Sequence, residues 1–128
     1  MKLLIDTHIF LWIISGNKKL SKKAKDAFLD VNNDLYFSAA SYWEICIKYS
    51  LDKIDLADNW AKVFDREMAA NGVSWLPINR NHCRGVCDLP FIHRDPFDRM
   101  IVSQARSEGM TLLTADSDIR QYEVNVIY

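Results

Sequence analysis

The sequence has few of the residues that mark linkers, secretion signals or membrane spans. Only four glycines and three prolines occur among 128 residues, and they do not cluster into a flexible linker. No run approaches the roughly 20 apolar residues of a membrane-spanning helix. Asp6 and His8 interrupt the apolar N-terminal stretch, which is unlike a signal peptide. These absences predict one domain over residues 1–128, with no membrane association and a cytoplasmic location.

Cysteine is also scarce, and the three residues present are an odd number. In a chain without a secretion signal, this indicates reduced thiols in a cytosol. Cys83 and Cys87, with His82 and His93 nearby, suggest zinc as an alternative. No second ligand pair stands at metal-site spacing, so small apolar residues on a helix are the favoured interpretation.

The formal net charge of −1 does not by itself indicate nucleic-acid binding. If four of the 17 acidic residues share one site, the rest of the chain has 16 basic against 13 acidic side chains. One segment is strongly basic, and either an RNA-binding surface or a solvated helix face would explain its lysines, which are Lys18, Lys19, Lys22, Lys23 and Lys25.

Short apolar runs alternate along the chain with longer segments of helical pattern. Five runs are typical of buried strands, at residues 3–5, 35–37, 73–78, 111–113 and 124–127. Helices are predicted after the cap residue Ser21, over residues 39–51 and 60–70, and from Asp95-Pro96 to Gly109. This alternation predicts an α/β fold in three layers, α/β/α, around a central, mainly parallel sheet of four to five strands.

Two acidic residues stand where predicted strands end. Asp6 follows the first strand, and Asp116 lies just past the strand at residues 111–113. Because the carboxyl ends of parallel strands meet at one edge, where ligands collect, both are predicted to point at the same edge. The alternative for each is a helix cap, with the helix leading to Tyr122 following Asp116. Asp118 is the weaker candidate, since it lies further from the strand end.

Two further acids lie on predicted helices. Glu44 belongs to the helix at residues 39–51, where a solvent-facing ion pair with Lys48 is the alternative to a functional role. Asp98 is the third residue of the helix that Asp95 caps, where an acid also favours the helix dipole. Singly each acid is ambiguous, but all four are expected to converge at one edge of the sheet.

Several carboxylates close together repel one another unless a cation is present. Hard oxygen ligands suit Mg²⁺ or Mn²⁺, which promote phosphodiester hydrolysis by activating water. The sequence has no Gly-rich phosphate loop and no G-x-S-x-G elbow. Phosphohydrolases with an aspartyl nucleophile want a second Asp two positions after the first, where this chain has His8. A metal-dependent nuclease is therefore the favoured class.

Four segments of the sequence resemble a known family, the PIN-domain ribonucleases of the VapC type. They are LLIDTHIFLW, LYFSAASYWEICIKYSLDKI, HRDPFDRMIVSQA and TLLTADSDI, and together they span nearly the whole chain. VapC proteins are the toxins of type II toxin–antitoxin pairs. The resemblance implies a PIN-like fold, dependence on Mg²⁺ or Mn²⁺, endonucleolytic cleavage of RNA, a homodimer and an antitoxin partner. It places the family's acidic residues on Asp6, Glu44, Asp98 and Asp116.

On this hypothesis Asp6, Asp98 and Asp116 hold the metal directly or through its waters, while Glu44 binds metal or orients the attacking water. Four other residues are candidates for holding carboxylates or substrate phosphate, although surface ion pairs remain an alternative for the arginines: Thr7, Thr114, Arg94 and Arg99. The apolar helical run at residues 9–14, including Trp12, is expected to be core that partly lines a partner surface.

Two other functions remain open at this point. A housekeeping PIN nuclease in RNA maturation would carry the same acids and need no antitoxin. A non-catalytic module that binds RNA or protein would retain its function when Asp6 or Asp98 is replaced by Asn.

Overall fold

The computed structural model describes residues 1–128, which form five strands, six α-helices and one 3₁₀-helix. The strands are β1 (Lys2–Ile5), β2 (Asp34–Ser38), β3 (Val73–Leu76), β4 (Thr111–Leu113) and β5 (Val126–Ile127). The α-helices are α1 (Thr7–Ser15), α2 (Lys22–Leu29), α3 (Ala39–Ser50), α4 (Trp60–Ala70), α5 (Arg80–Val86) and α6 (Pro96–Glu108). The 3₁₀-helix, Ile119–Gln121, lies between β4 and β5. No helix has both the length and the apolar character needed to cross a membrane.

All five strands belong to one sheet, in the order β3-β2-β1-β4-β5, and every pairing is parallel. The central strand β1 has Leu3, Leu4 and Ile5 at 0% exposure. A strand covered on both faces needs such a continuous apolar run, because helices pack above and below it. The predicted α/β architecture with a parallel sheet is therefore confirmed.

Alternate side chains of β1 enter two separate cores. Leu3 and Ile5 pack with the first core, which contains Phe10, Phe37 and Phe64. The ring centroids of Phe10 and Phe64 lie 4.7 Å apart in an edge-to-face arrangement. Leu4 faces the second core, which includes residues of α6, β4 and the 3₁₀-helix. Helices thus cover both faces of the sheet and complete the three layers.

Helix caps lie where the sequence indicated. The Ser21 hydroxyl accepts a hydrogen bond from the Ala24 amide at 3.1 Å. The Asp95 carboxylate caps α6, and Gly109 ends it with a φ of +65°, a left-handed conformation that glycine adopts without strain.

Two strands are shorter than predicted. β3 ends at Leu76 because Pro77 has no N–H for the sheet. β5 begins only at Val126, since the Val124 amide bonds to the Tyr122 carbonyl. The helix expected at Cys83 and Cys87 is α5, which a capping box between Asn79 and His82 begins, but both cysteines are exposed instead of packed as apolar residues.

Candidate functional site

Asp6 links the end of β1 to the beginning of α1. Its Oδ1 accepts a hydrogen bond from the Thr7 amide at 2.7 Å, and its Oδ2 accepts one from the Thr114 hydroxyl at 2.7 Å. The Asp6 amide in turn donates to the Leu113 carbonyl of β4. Burial raises the pKa of Asp6, although the Thr114 hydrogen bond works in the opposite direction. Asp6 therefore caps α1 and also places a buried carboxyl group at the sheet edge.

Asp116 follows β4 at the same edge. Asp6 and Asp116 both line a cleft of about 180 Å³, together with His8, Trp12 and Ala115. The Asp116 Oδ1 accepts a hydrogen bond from the Asp118 amide at 2.8 Å. The structure thus brings together two carboxylates that lie 110 positions apart in sequence, because β1 and β4 are neighbouring parallel strands.

Glu44 projects from α3 and is only 3% exposed. Its Oε1 accepts a hydrogen bond from the Thr7 hydroxyl at 2.9 Å, and its Oε2 lies 2.8 Å from Lys48 Nζ. The ion pair considered from the sequence is present, but its carboxylate is buried instead of solvent-facing. Burial would lower the pKa of Lys48, yet the hydrogen bond that Lys48 donates to Glu44 and the charges of nearby carboxylates hold that pKa above its ordinary value.

Asp98 stands in the first turn of α6, and its side chain is 14% exposed. Burial, followed by repulsion from the charges of neighbouring acids, raises the pKa of Asp98 to about 8. The acids whose charges raise it are Asp6, Asp95, Asp116 and Glu44. Thr7 bonds both Asp6 and Glu44, and Asp6 and Asp116 line one cleft. Because the charges of these three acids also act on Asp98, we refer to the four predicted acids as the acidic cluster.

The chemistry of the donors in this acidic cluster fits a hard divalent cation. Its functional atoms are carboxylate and hydroxyl oxygens, which Mg²⁺ and Mn²⁺ prefer. No three His, Cys, Asp or Glu side chains converge closely enough to enclose an ion by themselves. Mg²⁺ usually keeps several waters and takes one or two carboxylates directly, so this spacing suits a hydrated ion. Cys83 and Cys87, considered above as zinc ligands, are exposed and belong to no group of three potential metal ligands.

From the sequence, the Arg99 side chain was expected to be accessible to substrate phosphate, but it is buried. It is 6% exposed, and its guanidinium donates to the carbonyls of Pro90 at 2.8 Å and Leu89 at 3.4 Å, and to the Tyr122 hydroxyl at 3.1 Å. Its charge is thus used to hold the loop before α6. The expected phosphate contact is wrong for Arg99, whereas Arg94 is exposed and forms no ion pair.

Other surface features lie apart from the cluster. The five lysines of residues 18–25 are all exposed, and one of them pairs with Asp26 at 3.0 Å. A larger polar groove of about 400 Å³ lies beside α5 and α6 and contains none of the four acids. The chemistry therefore points to the smaller cleft, which the carboxylates of Asp6 and Asp116 line.

Two residues of the site were missed or misjudged from the sequence. His93 Nε2 lies 3.2 Å from the Asp98 Oδ2, and Tyr122 is bonded to the other ring nitrogen of His93. His93 was considered only as a zinc ligand. The signal available was its place in the same HRDPFDR segment as Asp98, but nothing in the sequence placed Tyr122 beside it.

Comparisons with known proteins show where this fold occurs elsewhere. The chain is similar in fold to VapBC2 from Rickettsia felis bound to a promoter DNA fragment, with 16% identity, a TM-score of 0.74 and coverage of 99% of this chain and 98% of that one. It is also similar to DNA-bound VapBC from Salmonella typhimurium, with 17% identity, a TM-score of 0.72 and coverage of 99% and 97%. A toxin–antitoxin complex from Klebsiella pneumoniae gives 17% identity, a TM-score of 0.65 and coverage of 98% and 96%.

The comparison with curated proteins gave no match. The family model described as PIN domain, however, matches residues 3–125, which include all four acids of the cluster. This match extends over nearly the whole chain, and the chain belongs to the PIN domain family.

Proposed function

We propose that this chain is a Mg²⁺- or Mn²⁺-dependent endoribonuclease that acts as the toxin of a toxin–antitoxin pair. The observation that carries the proposal is the acidic cluster, in which Thr7 bonds both Asp6 and Glu44, Asp6 and Asp116 line one cleft, and the charges of all three act on Asp98. Such an excess of negative charge at a strand edge suits a cation-binding nuclease better than a structural role. Membership of the PIN domain family supports nuclease chemistry.

The chain's own residues have distinct tasks in this proposal. A bound divalent cation would supply an activated water and stabilise the leaving oxygen. Asp6, Asp98 and Asp116 hold the ion, directly or through its waters, and Glu44 contributes to binding it or orients the attacking water. The hydroxyls of Thr7 and Thr114 already bond Glu44 and Asp6, which favours holding carboxylates over binding phosphate.

The antitoxin partner is supported by the similar structures, which include a toxin–antitoxin complex. A groove of about 470 Å³ beside α1 and α2 offers a partly apolar surface for it, lined by Trp12 and Ile13 and bordered by Lys18 and Lys25. We also propose a homodimer, as the family resemblance implies, and light scattering of the purified protein tests that point.

Cleavage of RNA by the purified protein tests the enzymatic part. We expect Asp6→Asn and Asp98→Asn to lower the rate at least about 100-fold, because each removes a carboxylate of the cation site. The matched control is Asp118→Asn, which changes an acid at the same sheet edge that does not affect the pKa of Asp98. Equal cleavage in the presence of a chelator would contradict the metal-dependent mechanism.

Induced expression in bacteria tests the toxin part. Wild-type protein should arrest growth, Asp6→Asn should not, and a short open reading frame beside the gene should encode a protein that relieves the arrest. RNA cleavage without growth arrest would favour a housekeeping nuclease. RNA binding that survives both substitutions, without cleavage, would favour a non-catalytic module.

A further inference from the structure

The four carboxylates of the cluster are each held by a donor, and Asp98 is held differently from the rest. Asp6 and Asp116 accept hydrogen bonds from backbone amides, and Glu44 accepts them from Thr7 and Lys48. The only side chain that bonds the Asp98 carboxylate is His93, at 3.2 Å from Oδ2. The second oxygen of Asp98 has no hydrogen-bond partner from the protein.

The hydrogen-bond network fixes which way the His93 ring donates. The Tyr122 oxygen accepts from Arg99 Nη1 at 3.1 Å and from the His93 amide at 3.4 Å, so its own proton must go elsewhere. The nearest acceptor is His93 Nδ1, at 2.7 Å. Nδ1 therefore accepts, and Nε2–H donates to Asp98, because a neutral imidazole carries one proton.

Each member of this chain of hydrogen bonds is locked in place by its surroundings. Arg99 cannot act as an acceptor, and it also donates to the carbonyls of the loop that carries His93. Tyr122 is 3% exposed and belongs to the second core, so its hydroxyl has little freedom to move. The direction of donation is therefore set at Arg99: Arg99 donates to Tyr122, Tyr122 donates to His93, and His93 donates to one oxygen of Asp98.

We propose that His93 is a positioning residue, which holds one oxygen of Asp98 so that the other oxygen is presented to the divalent cation. This inference rests on the proposed function. Carboxylates that bind metal ions are commonly oriented by such outer hydrogen bonds, and their loss typically weakens metal affinity by roughly 10–100-fold. Tyr122 and Arg99 act one step further out, by selecting the tautomer of His93.

Mn²⁺ binding tests the proposal without requiring catalysis. The electron paramagnetic resonance signal of unbound Mn²⁺ gives the Kd for chelator-treated wild-type protein and for three variants. We expect His93→Leu to raise the Kd at least about 10-fold. His93→Gln should stay close to wild type, because its amide can place an N–H near the position of Nε2. Tyr122→Phe keeps the core packing and should give an intermediate Kd.

RNA cleavage provides the second measurement. Loss of positioning should lower kcat for His93→Leu with little change in KM, and His93→Gln should restore most of the rate. If His93→Leu does not fold, the Kd and kcat values of Tyr122→Phe are compared with those of wild type and His93→Gln instead.

The outcomes separate the positioning role from the proposed function. Wild-type protein that binds Mn²⁺, beside His93→Leu or Tyr122→Phe variants with the same affinity, would overturn the positioning role alone. Wild-type protein that binds Mn²⁺ but cuts no RNA would contradict the proposed nuclease function. In that case the Kd values of the variants would still test the positioning role of His93. Wild-type protein that binds no Mn²⁺ would overturn both.

Discussion

Replacing Asp98 with Asn should stabilise the metal-free protein, and the gain should grow as the pH rises. Burial of the Asp98 carboxyl group, followed by repulsion from the charges of neighbouring acids, raises its pKa to about 8. In the unfolded chain the same group ionises near 3.8. The amide of Asn keeps nearly the same shape but has no charge to place among the other acids.

The sign follows from counting protons in the two states. Between pH values near 4 and 8 the folded protein binds a proton at Asp98 that the unfolded chain has already released. Stability therefore falls as the pH rises through this window. One proton corresponds to about 1.4 kcal/mol per pH unit, so the loss between pH 5 and pH 7 is on the order of 3 kcal/mol. The pKa of Asp6 is also raised, which adds to the same trend.

Urea denaturation of chelator-treated protein at several pH values measures this effect. A change on the order of 3 kcal/mol is a large part of the roughly 5–15 kcal/mol that stabilises a typical domain. Wild type should lose stability steadily from pH 5 to pH 7, whereas Asp98→Asn should lose much less. Asp118→Asn is the control and should follow the wild-type slope. A slope for Asp98→Asn as steep as that of wild type would refute the assignment of the raised pKa to Asp98.

Three further results are expected. Millimolar Mn²⁺ should raise the Tm of wild type more at pH 8 than at pH 6, since the ion must displace the proton on Asp98; equal shifts would contradict this. Arg99→Met should cost roughly 3 kcal/mol or more in urea denaturation, because it leaves buried carbonyls unpaired, whereas exposed Arg94→Met should cost less than about 0.5 kcal/mol. Gly85→Ala should cost roughly 1–3 kcal/mol, because a Cβ there would collide with the Ser103 hydroxyl, and the cost should shrink beside Ser103→Ala.

The sheet and its ends could be predicted because their signals are local. A buried strand in a parallel sheet needs an apolar run, and the residue just past it must stand at the carboxyl edge. Asp6 and Asp116 could therefore be placed at one edge before any contact between them was known. The caps at Ser21 and Asp95 could also be predicted, since only a few residue types satisfy the free amides at the beginning of a helix.

Burial of individual polar side chains could not be predicted in the same way. Arg94 and Arg99 are five residues apart and chemically identical, yet one is exposed and the other is enclosed by carbonyls. The difference depends on where the loop before α6 folds, which is a tertiary property. Glu44 illustrates the same limit, because its i,i+4 partner Lys48 suggested a surface pair and only the Thr7 contact from another helix reveals its burial.

The charges within the acidic cluster favour the binding of a cation. Lys48 is the only lysine or arginine that forms an ion pair with any of the four acids. Arg99, although adjacent to Asp98 in sequence, is engaged with the loop carbonyls and with Tyr122. Hydrogen bonds from threonines and backbone amides fix the carboxylates without neutralising them. Because the fold supplies one lysine for four buried or half-buried acids, an excess of negative charge remains when they ionise, and a divalent ion would offset most of it.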